Sequence, residues 1–308
     1  MTLSRRSALL TGALLPLAAP ALVGLRPAAA QDASAVPPLG PSRTIPLGAW
    51  RVSALLAGMG RMEDPQSTFG LDVDAETFRA VSEENFVPAD RTVGFFTPTL
   101  VDTGAERILF DTGLEPGGLV AALEHAGYAP ADVTHVVLTH MHPDHVGGLV
   151  GAAGEPTFPA ATIVAGRTEF DFWAGQENEM FDTRVRPLAD GITLIEPGDA
   201  VREGVEAVDA FGHTPGHLAF LLESEGERLM LTADTANHHV WSLGRPDWAV
   251  RFDMDREAAA RTRRRLLGRI ADERMAMLGY HLPFPAIGFV QRDGEDGFRW
   301  VPMTYQFL

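Results

Sequence analysis

The chain contains no cysteine. Disulfides, thiolate metal ligands and thiol nucleophiles are therefore excluded, and any metal must be held by histidine and carboxylate. Basic residues are scarce, with 25 Lys plus Arg against 41 Asp plus Glu and a formal charge of -16. Such a balance repels the phosphate backbone of nucleic acid and an anionic membrane, so neither is an expected partner. Low-complexity segments and short-period repeats are also lacking, which argues against a repeat architecture. What is present is an ordinary globular composition over 308 residues, 45% hydrophobic and 21% charged, enough for one large domain or two small ones.

Residues 1–30 stand apart from this composition. They combine Arg5-Arg6, an apolar stretch from about Ala8 to Leu25 and an Ala28-Ala29-Ala30 end suited to signal peptidase. The segment resembles a cleaved twin-arginine export signal, which implies a periplasmic protein. Pro16, Pro20 and the small-residue end argue against the alternative, a transmembrane anchor, so no stable membrane insertion is expected after cleavage. Removing its three arginines leaves 22 basic against 41 acidic residues, a formal -19. Residues 31–42 are small, polar and Pro-rich and read as a flexible N-terminal tail. Residues 43–308 are expected to form a single domain.

The most informative run is THMHPDHVGG, residues 139–148, which packs His140, His142, Asp144 and His145 into six positions. The preceding VTHVVLT is apolar and β-branched, as in a buried strand, where residues two apart point the same way. His140 and His142 therefore face one side together. Pro143 disfavours a helical conformation just before it and forces a turn, so that Asp144 and His145 project from another direction; Gly147-Gly148 lets backbone pass close by. This arrangement suits two adjacent metals better than one, the alternative being a polar turn rich in histidine.

Elsewhere the chain reads as strands followed by strand and helix units. Residues 43–115 give hairpin-like stretches, with Thr103-Gly104-Ala105-Glu106 as the turn between the last two strands, and a helix is expected at about 117–126. ATIVAG (161–166), ITLIEPG (192–198) and VEAVDAFGHT (205–214) read as strands, HLAFLLES with ERLMLTADT as a hairpin, and 254–277 as the longest helix. Arg261, Arg263, Arg264 and Arg265 on that helix are read as a solvated surface in preference to a basic binding face. Further candidate ligands stand at strand ends: His213 in the GHTPGH turn with His217 four residues on, Asp234 closing LMLTADT, and His281 in LGYHLPFP.

With these residues in view, the chain resembles the metallo-β-lactamase fold superfamily of metallohydrolases over about residues 43–305. The resemblance rests on H-x-H-x-D-H, GHTPGH, the acid Asp234 and the last histidine, His281. It implies an α/β fold, a four-layer αββα sandwich of two mixed β-sheets flanked by helices. It also implies that His140, His142 and His213 hold one metal, that Asp144, His145 and His281 hold the other, and that Asp234 bridges them. His217 is then an outer residue orienting its neighbours. Asp111 in LFDTG matches a family motif and either hydrogen-bonds a ligand histidine or is a simple turn aspartate. His135 reads as a strand residue, and His238 and His239 either line the pocket or sit on an exposed loop. Phe95, Phe96, Phe170, Phe172, Trp173 and Phe181 are candidate pocket walls, with plain core packing as the favoured alternative.

Two divalent ions, zinc first with manganese, iron or cobalt as alternatives, would share a bridging hydroxide, and Asp144 is the residue chosen for aligning it and handling its proton. An acid at position 234 disfavours a β-lactamase, since β-lactamases of this fold carry cysteine or serine there. FFTPTLVDTG, THMHPDHVGG, ADTANH and HLPFPAIGFV are most similar to methyl parathion hydrolase and its lactonase-like relatives. Phe289 in place of a common histidine and ADT in place of the common GDT are departures that remove no ligand. The expected substrate is a small apolar ester: an organophosphate triester, a lactone or an aryl ester. A mononuclear iron enzyme like the persulfide dioxygenases, and a thioesterase like glyoxalase II, are the alternatives within the fold. The oligomeric state is left open, with a homodimer, common among such relatives, as the alternative to a monomer.

Overall fold

The computed structural model describes residues 40–294 and 297–303. The segment read as an export signal and residues 31–39 of the expected tail lie outside the described residues, and no helix among those described is long and apolar enough to cross a membrane. In chain order the elements are β1 (Ser42–Leu47), β2 (Trp50–Leu55), β3 (Gly58–Glu63), α1 (Ala75–Glu84), β4 (Arg91–Phe96), β5 (Thr99–Asp102) and β6 (Arg107–Phe110). Then come α2 (Pro116–His125), β7 (His135–Leu138), α3 (Pro143–Val146), β8 (Thr162–Gly166), α4 (Arg167–Ala174), β9 (Ile192–Ile195), β10 (Ala200–Arg202) and β11 (Val205–Asp209). The last are β12 (Leu218–Ser224), β13 (Glu227–Ala233), α5 (Arg256–Asp272), β14 (Ala276–Gly279), β15 (Ile287–Asp293) and β16 (Gly297–Pro302).

Two seven-stranded mixed sheets carry the fold, ordered β1-β2-β5-β6-β7-β8-β9 and β10-β11-β12-β13-β14-β15-β16. The first runs antiparallel as far as β6 and parallel from β6 to β9; the second is antiparallel except for the β13·β14 pair. Strand alternation sorts the side chains into layers. Ile108, Phe110 and Val137 enter the core between the sheets with Ala219, Leu229 and Leu231, whereas Leu109, Val136 and Leu138 point the other way, onto Leu119 and Leu123 of α2. On the far side, Leu266, Leu267 and Ile270 bring α5 onto the second sheet. The expected four-layer sandwich of two mixed sheets and flanking helices is the one observed.

A smaller lobe adds to it. Strands β3 and β4 pair with each other alone, and α1 docks Phe78 against Trp241 and Trp248, with ring centroids 4.9 and 5.8 Å apart. Helix α1 was not expected from the sequence because its surface is polar apart from Phe78 and Val81, and Asp74 caps its start by accepting from the Thr77 N–H at 2.7 Å. The last helix is shorter than the 254–277 pattern indicates. It stops at Asp272, and Ala276–Gly279 becomes a strand because it pairs in parallel with β13. Arg263 corrects the reading of that helix as uniformly solvated: it is 1% exposed, whereas Arg261, Arg264 and Arg265 stay at the surface paired with Glu257, Asp247 and Asp209.

Candidate metal centre

Four strand ends deliver the candidate ligands. β7 runs into His140, β11 into the turn holding His213, β13 into Asp234 and β14 into His281. The register Ala233↔Gly279 places the last two side by side. Ala233 itself has φ 42°. The left-handed region costs an alanine about 1–2 kcal/mol, so glycine would be the easier residue there. In the opening motif His142 is extended (φ -69°, ψ 156°) and Pro143 starts the single turn of α3, which aims Asp144 and His145 back at the cluster. Gly147 and Gly148 are there for close approach, since a Cβ on either would lie 2.1 Å from a carbonyl oxygen, of Leu114 and Thr112 respectively.

All seven predicted residues come together. His142 Nδ1 lies 3.2 Å from His140 Nε2 and 3.0 Å from His213 Nε2. Asp144 Oδ2 lies 3.6 Å from His145 Nε2 and 3.3 Å from His281 Nε2. Asp234 sits between the groups, its Oδ2 3.2 Å from His213 and 3.1 Å from His281 and its Oδ1 3.1 Å from His145. His140, His142 and His213 form one set of converging ligand atoms, and Asp144, His145 and His281 another. Ligand bonds of 2.0–2.1 Å in a tetrahedron give edges of about 3.3–3.4 Å, close to these separations. His145 Nε2 and Asp234 Oδ1 are buried and face one another, yet neither has a hydrogen-bond partner, as expected of lone pairs directed at a common ion. The residues fit a divalent metal site.

The distal nitrogens are equally ordered. His145 Nδ1 donates to Asp111 Oδ2 at 2.8 Å, His213 Nδ1 to Asp253 Oδ1 at 3.0 Å, and His281 Nδ1 to the Phe95 carbonyl at 2.8 Å. Each bond fixes a proton on the outer nitrogen, so the inner one is the atom a metal would take once its own proton is released. Asp111 also accepts from the Thr139 N–H and hydroxyl, both at 2.8 Å, so it is a supporting residue and not a simple turn aspartate. His217 donates through Nδ1 to the Ala210 carbonyl and accepts from the Asp234 N–H through Nε2, which orients the central acid. Asp253 and its partner Arg263, 2.8 Å away, lie far from any motif and were not foreseen. Tyr280, whose hydroxyl donates to the Asp144 carbonyl at 2.5 Å and whose ring lies on His145, is another such residue.

The electrostatics divide the histidines. Burial pushes His140 well below the usual imidazole value and His142 down to about 3, with the charges of neighbouring histidines adding to it. Burial and the charge of His213 bring His217 to about 3. Against burial, Asp234 and Asp253 raise His213 to about 9, and Asp234 with Asp144 raises His281 to about 10. His145 is also held well above its usual value, against burial, by Asp234, Asp111 and Asp144. The carboxylates thus create a potential that favours positive charge at the centre.

A cavity of about 410 Å³ opens over the cluster. His142, Asp144, His213, Asp234, His281 and Asn237 form its polar floor, and Met62, Phe69, Phe96, Leu114 and Phe252 supply apolar wall. Of the aromatics named from the sequence, only Phe96 lines this cavity. Phe170, Trp173 and Phe181 pack into the layer beneath α4, while Phe69 and Phe252 arrive from segments with no recognisable signal. His238 is neither on an exposed loop nor in this cavity. It is buried, accepts from the Val240 and Trp241 N–H groups, stacks on Trp241, and borders a neighbouring groove with His239. His135 is a strand residue, as expected.

Residues 92–273 match the Metallo-beta-lactamase superfamily, and the chain belongs to it. Among solved structures it is similar to AidC, a dizinc quorum-quenching lactonase in complex with a product, at 27% identity and a TM-score of 0.79 over 87% of this chain and 99% of that one. The hydrolase AbOPH of the beta-lactamase superfamily is similar at 25% identity, again with a TM-score of 0.79, 87% of this chain and 99% of that one. An N-acyl homoserine lactonase of Bacillus cereus is 27% identical over 157 residues, 46% of this chain and 60% of the relative. The match thus spans about three fifths of the length of that curated relative.

Proposed function

We propose that the protein is a dinuclear metal-dependent hydrolase that cleaves a small apolar ester, with a lactone as the first candidate and an organophosphate triester or aryl ester as the others. The observation that carries this reading is the seven-residue cluster, with two complete ligand sets, at the floor of an apolar cavity. His140, His142 and His213 would hold one ion, Asp144, His145 and His281 the other, with Asp234 between them. Divalent ions bound there would supply Lewis acidity, activating water near neutral pH and polarising the ester.

The remaining work falls to the chain. Asp144 is the carboxylate of the set with an open side, its side chain 19% exposed against 4% for Asp234, so its carboxylate is placed to accept a proton and pass it toward the leaving oxygen. Tyr280 holds its backbone carbonyl, and His281 meets its carboxylate. Phe69, Phe96, Leu114 and Phe252 exclude water and receive the apolar part of the ester. The lactonase relatives support placing lactones first. A second full ligand group beside the first favours two ions over the single iron of a persulfide dioxygenase.

The test is a hydrolysis screen of lactones, phosphotriesters, aryl esters and thioesters on metal-analysed protein, with His142→Ala as control. Chelator-sensitive turnover of an oxygen ester, lost in the variant, is expected. No esterase activity, or activity indifferent to the variant, would refute the reading. Export to the periplasm belongs to the same proposal and rests on Arg5-Arg6 and Ala28-Ala29-Ala30. A mature protein in the periplasmic fraction beginning at Gln31 is the expected product.

A further inference from the structure

Glu169, in the first turn of α4, is 1% exposed and belongs to no ligand set. Its Oε1 accepts from the Met141 N–H at 2.9 Å and from the Trp173 indole at 2.6 Å. Its Oε2 accepts from the Thr214 hydroxyl at 2.7 Å and the Gly216 N–H at 3.0 Å. Met141 lies between His140 and His142, and Thr214 follows His213, so one carboxylate joins the two loops that supply the first ligand set. Gly216 makes the contact sterically feasible, since a Cβ there would lie 2.1 Å from the Glu169 nitrogen. Trp173 extends the link, its ring lying 5.9 Å from that of His142. The second set draws on other supports: Asp111, Tyr280 and the Phe95 carbonyl.

We propose that Glu169 is a positioning residue that sets the spacing of His140 and His142 against His213, and so governs the affinity of that ligand set, and not of the other, for its metal ion. A carboxylate accepts at both oxygens, whereas an amide places an N–H₂ against at least one of these donors and cannot satisfy all four. The assignment rests on the two-metal reading for the identity of the ligand, but its test separates the two.

The experiment measures zinc affinities of the full chain and of Glu169→Gln by competition with a chelator, and reads the occupancy of each position from zinc anomalous scattering at limiting metal. Outer residues of this kind are typically worth about 10–100-fold in metal affinity. The expected result is a loss of that size at the His140, His142 and His213 position, with the Asp144, His145 and His281 position within about 3-fold and the far-UV circular dichroism unchanged. Equal affinities in the two proteins, or parallel losses at both positions, would overturn it. Should Glu169→Gln fail to fold, Thr214→Val removes one of the four bonds, and a loss of roughly 3–10-fold at the same position is expected; no loss would overturn the assignment. If the wild-type chain binds only one zinc, the two-metal reading fails, and the single constant still decides: weakened in Glu169→Gln it supports the assignment, unchanged it overturns it.

Discussion

The two ligand sets differ in how they are held. His140 and His213 are fully buried, and the supports of their set reach it from helices or the loops beside them: Glu169 from α4, and Asp253 backed by the buried Arg263 of α5. In the second set Asp144 and His281 border the cavity, with side chains 19% and 13% exposed, while His145 is as buried as His140, and His281 is anchored to a carbonyl of β4 in the smaller lobe. Both sets reach the cavity floor, the first through His142 and His213 and the second through Asp144 and His281, so what separates them is the support behind each: helix-borne carboxylates for the first, and Asp111, Tyr280 and a β4 carbonyl for the second.

The strongest way to break this contrast is at Asp253. Asp253→Ala leaves Arg263 buried without its carboxylate, and breaking such a pair costs about 3–5 kcal/mol. A loss of stability of that order, read as a Tm lower by roughly 5–15 °C, is expected, together with loss of zinc from the position served by His213. A variant with wild-type Tm would show that the first set does not depend on this support.

A smaller effect lies in the protons these histidines hold. His213 at about 9 and His281 at about 10 hold protons at pH 7, as does the strongly raised His145, while His140 and His142 are neutral. A folded-state value raised above the unfolded one contributes stability that is fully present below about pH 6.5 and is lost as pH climbs through 9 and 10. Zinc requires the neutral ring and expels these protons, so binding tightens as pH rises. In chelator-stripped protein titrated with zinc between about pH 6.5 and 8.5, the affinity should therefore rise with pH. An affinity that is flat or falls with pH would contradict this.

The mildest change is at the cavity wall. Phe252 is 45% exposed and lines the cavity over the cluster. Phe252→Ala should raise KM for a long-chain ester by about 10-fold, the low end of apolar contact losses, with kcat and zinc content unchanged. A matching fall in kcat would place Phe252 in the reacting geometry instead.

How far all this could be read from the sequence follows from distance along the chain. His140, His142, Asp144 and His145 lie within six positions, so local strand and turn geometry already orients them. His213, Asp234 and His281 each follow a strand, and their resemblance to a known ligand pattern supplied the convergence that spacing alone could not. Asp111 was legible only as a motif; its bond to His145 spans 34 positions. Glu169, Asp253 and Arg263 carry no local signal, because a buried acid in TEF and an arginine in a run of arginines look like surface residues until their partners 28 to 47 positions away on α4's side, or 10 to 40 away on α5's, are folded against them. The same limit explains the shortened α5, whose apparent extension is claimed by β13.

The central claim is that both ligand sets are filled and used together. Chelator-stripped protein should regain ester hydrolysis as zinc is added, with activity rising to a plateau at two equivalents per chain by mass spectrometry. A plateau at one equivalent, or undiminished activity after stripping, would contradict it.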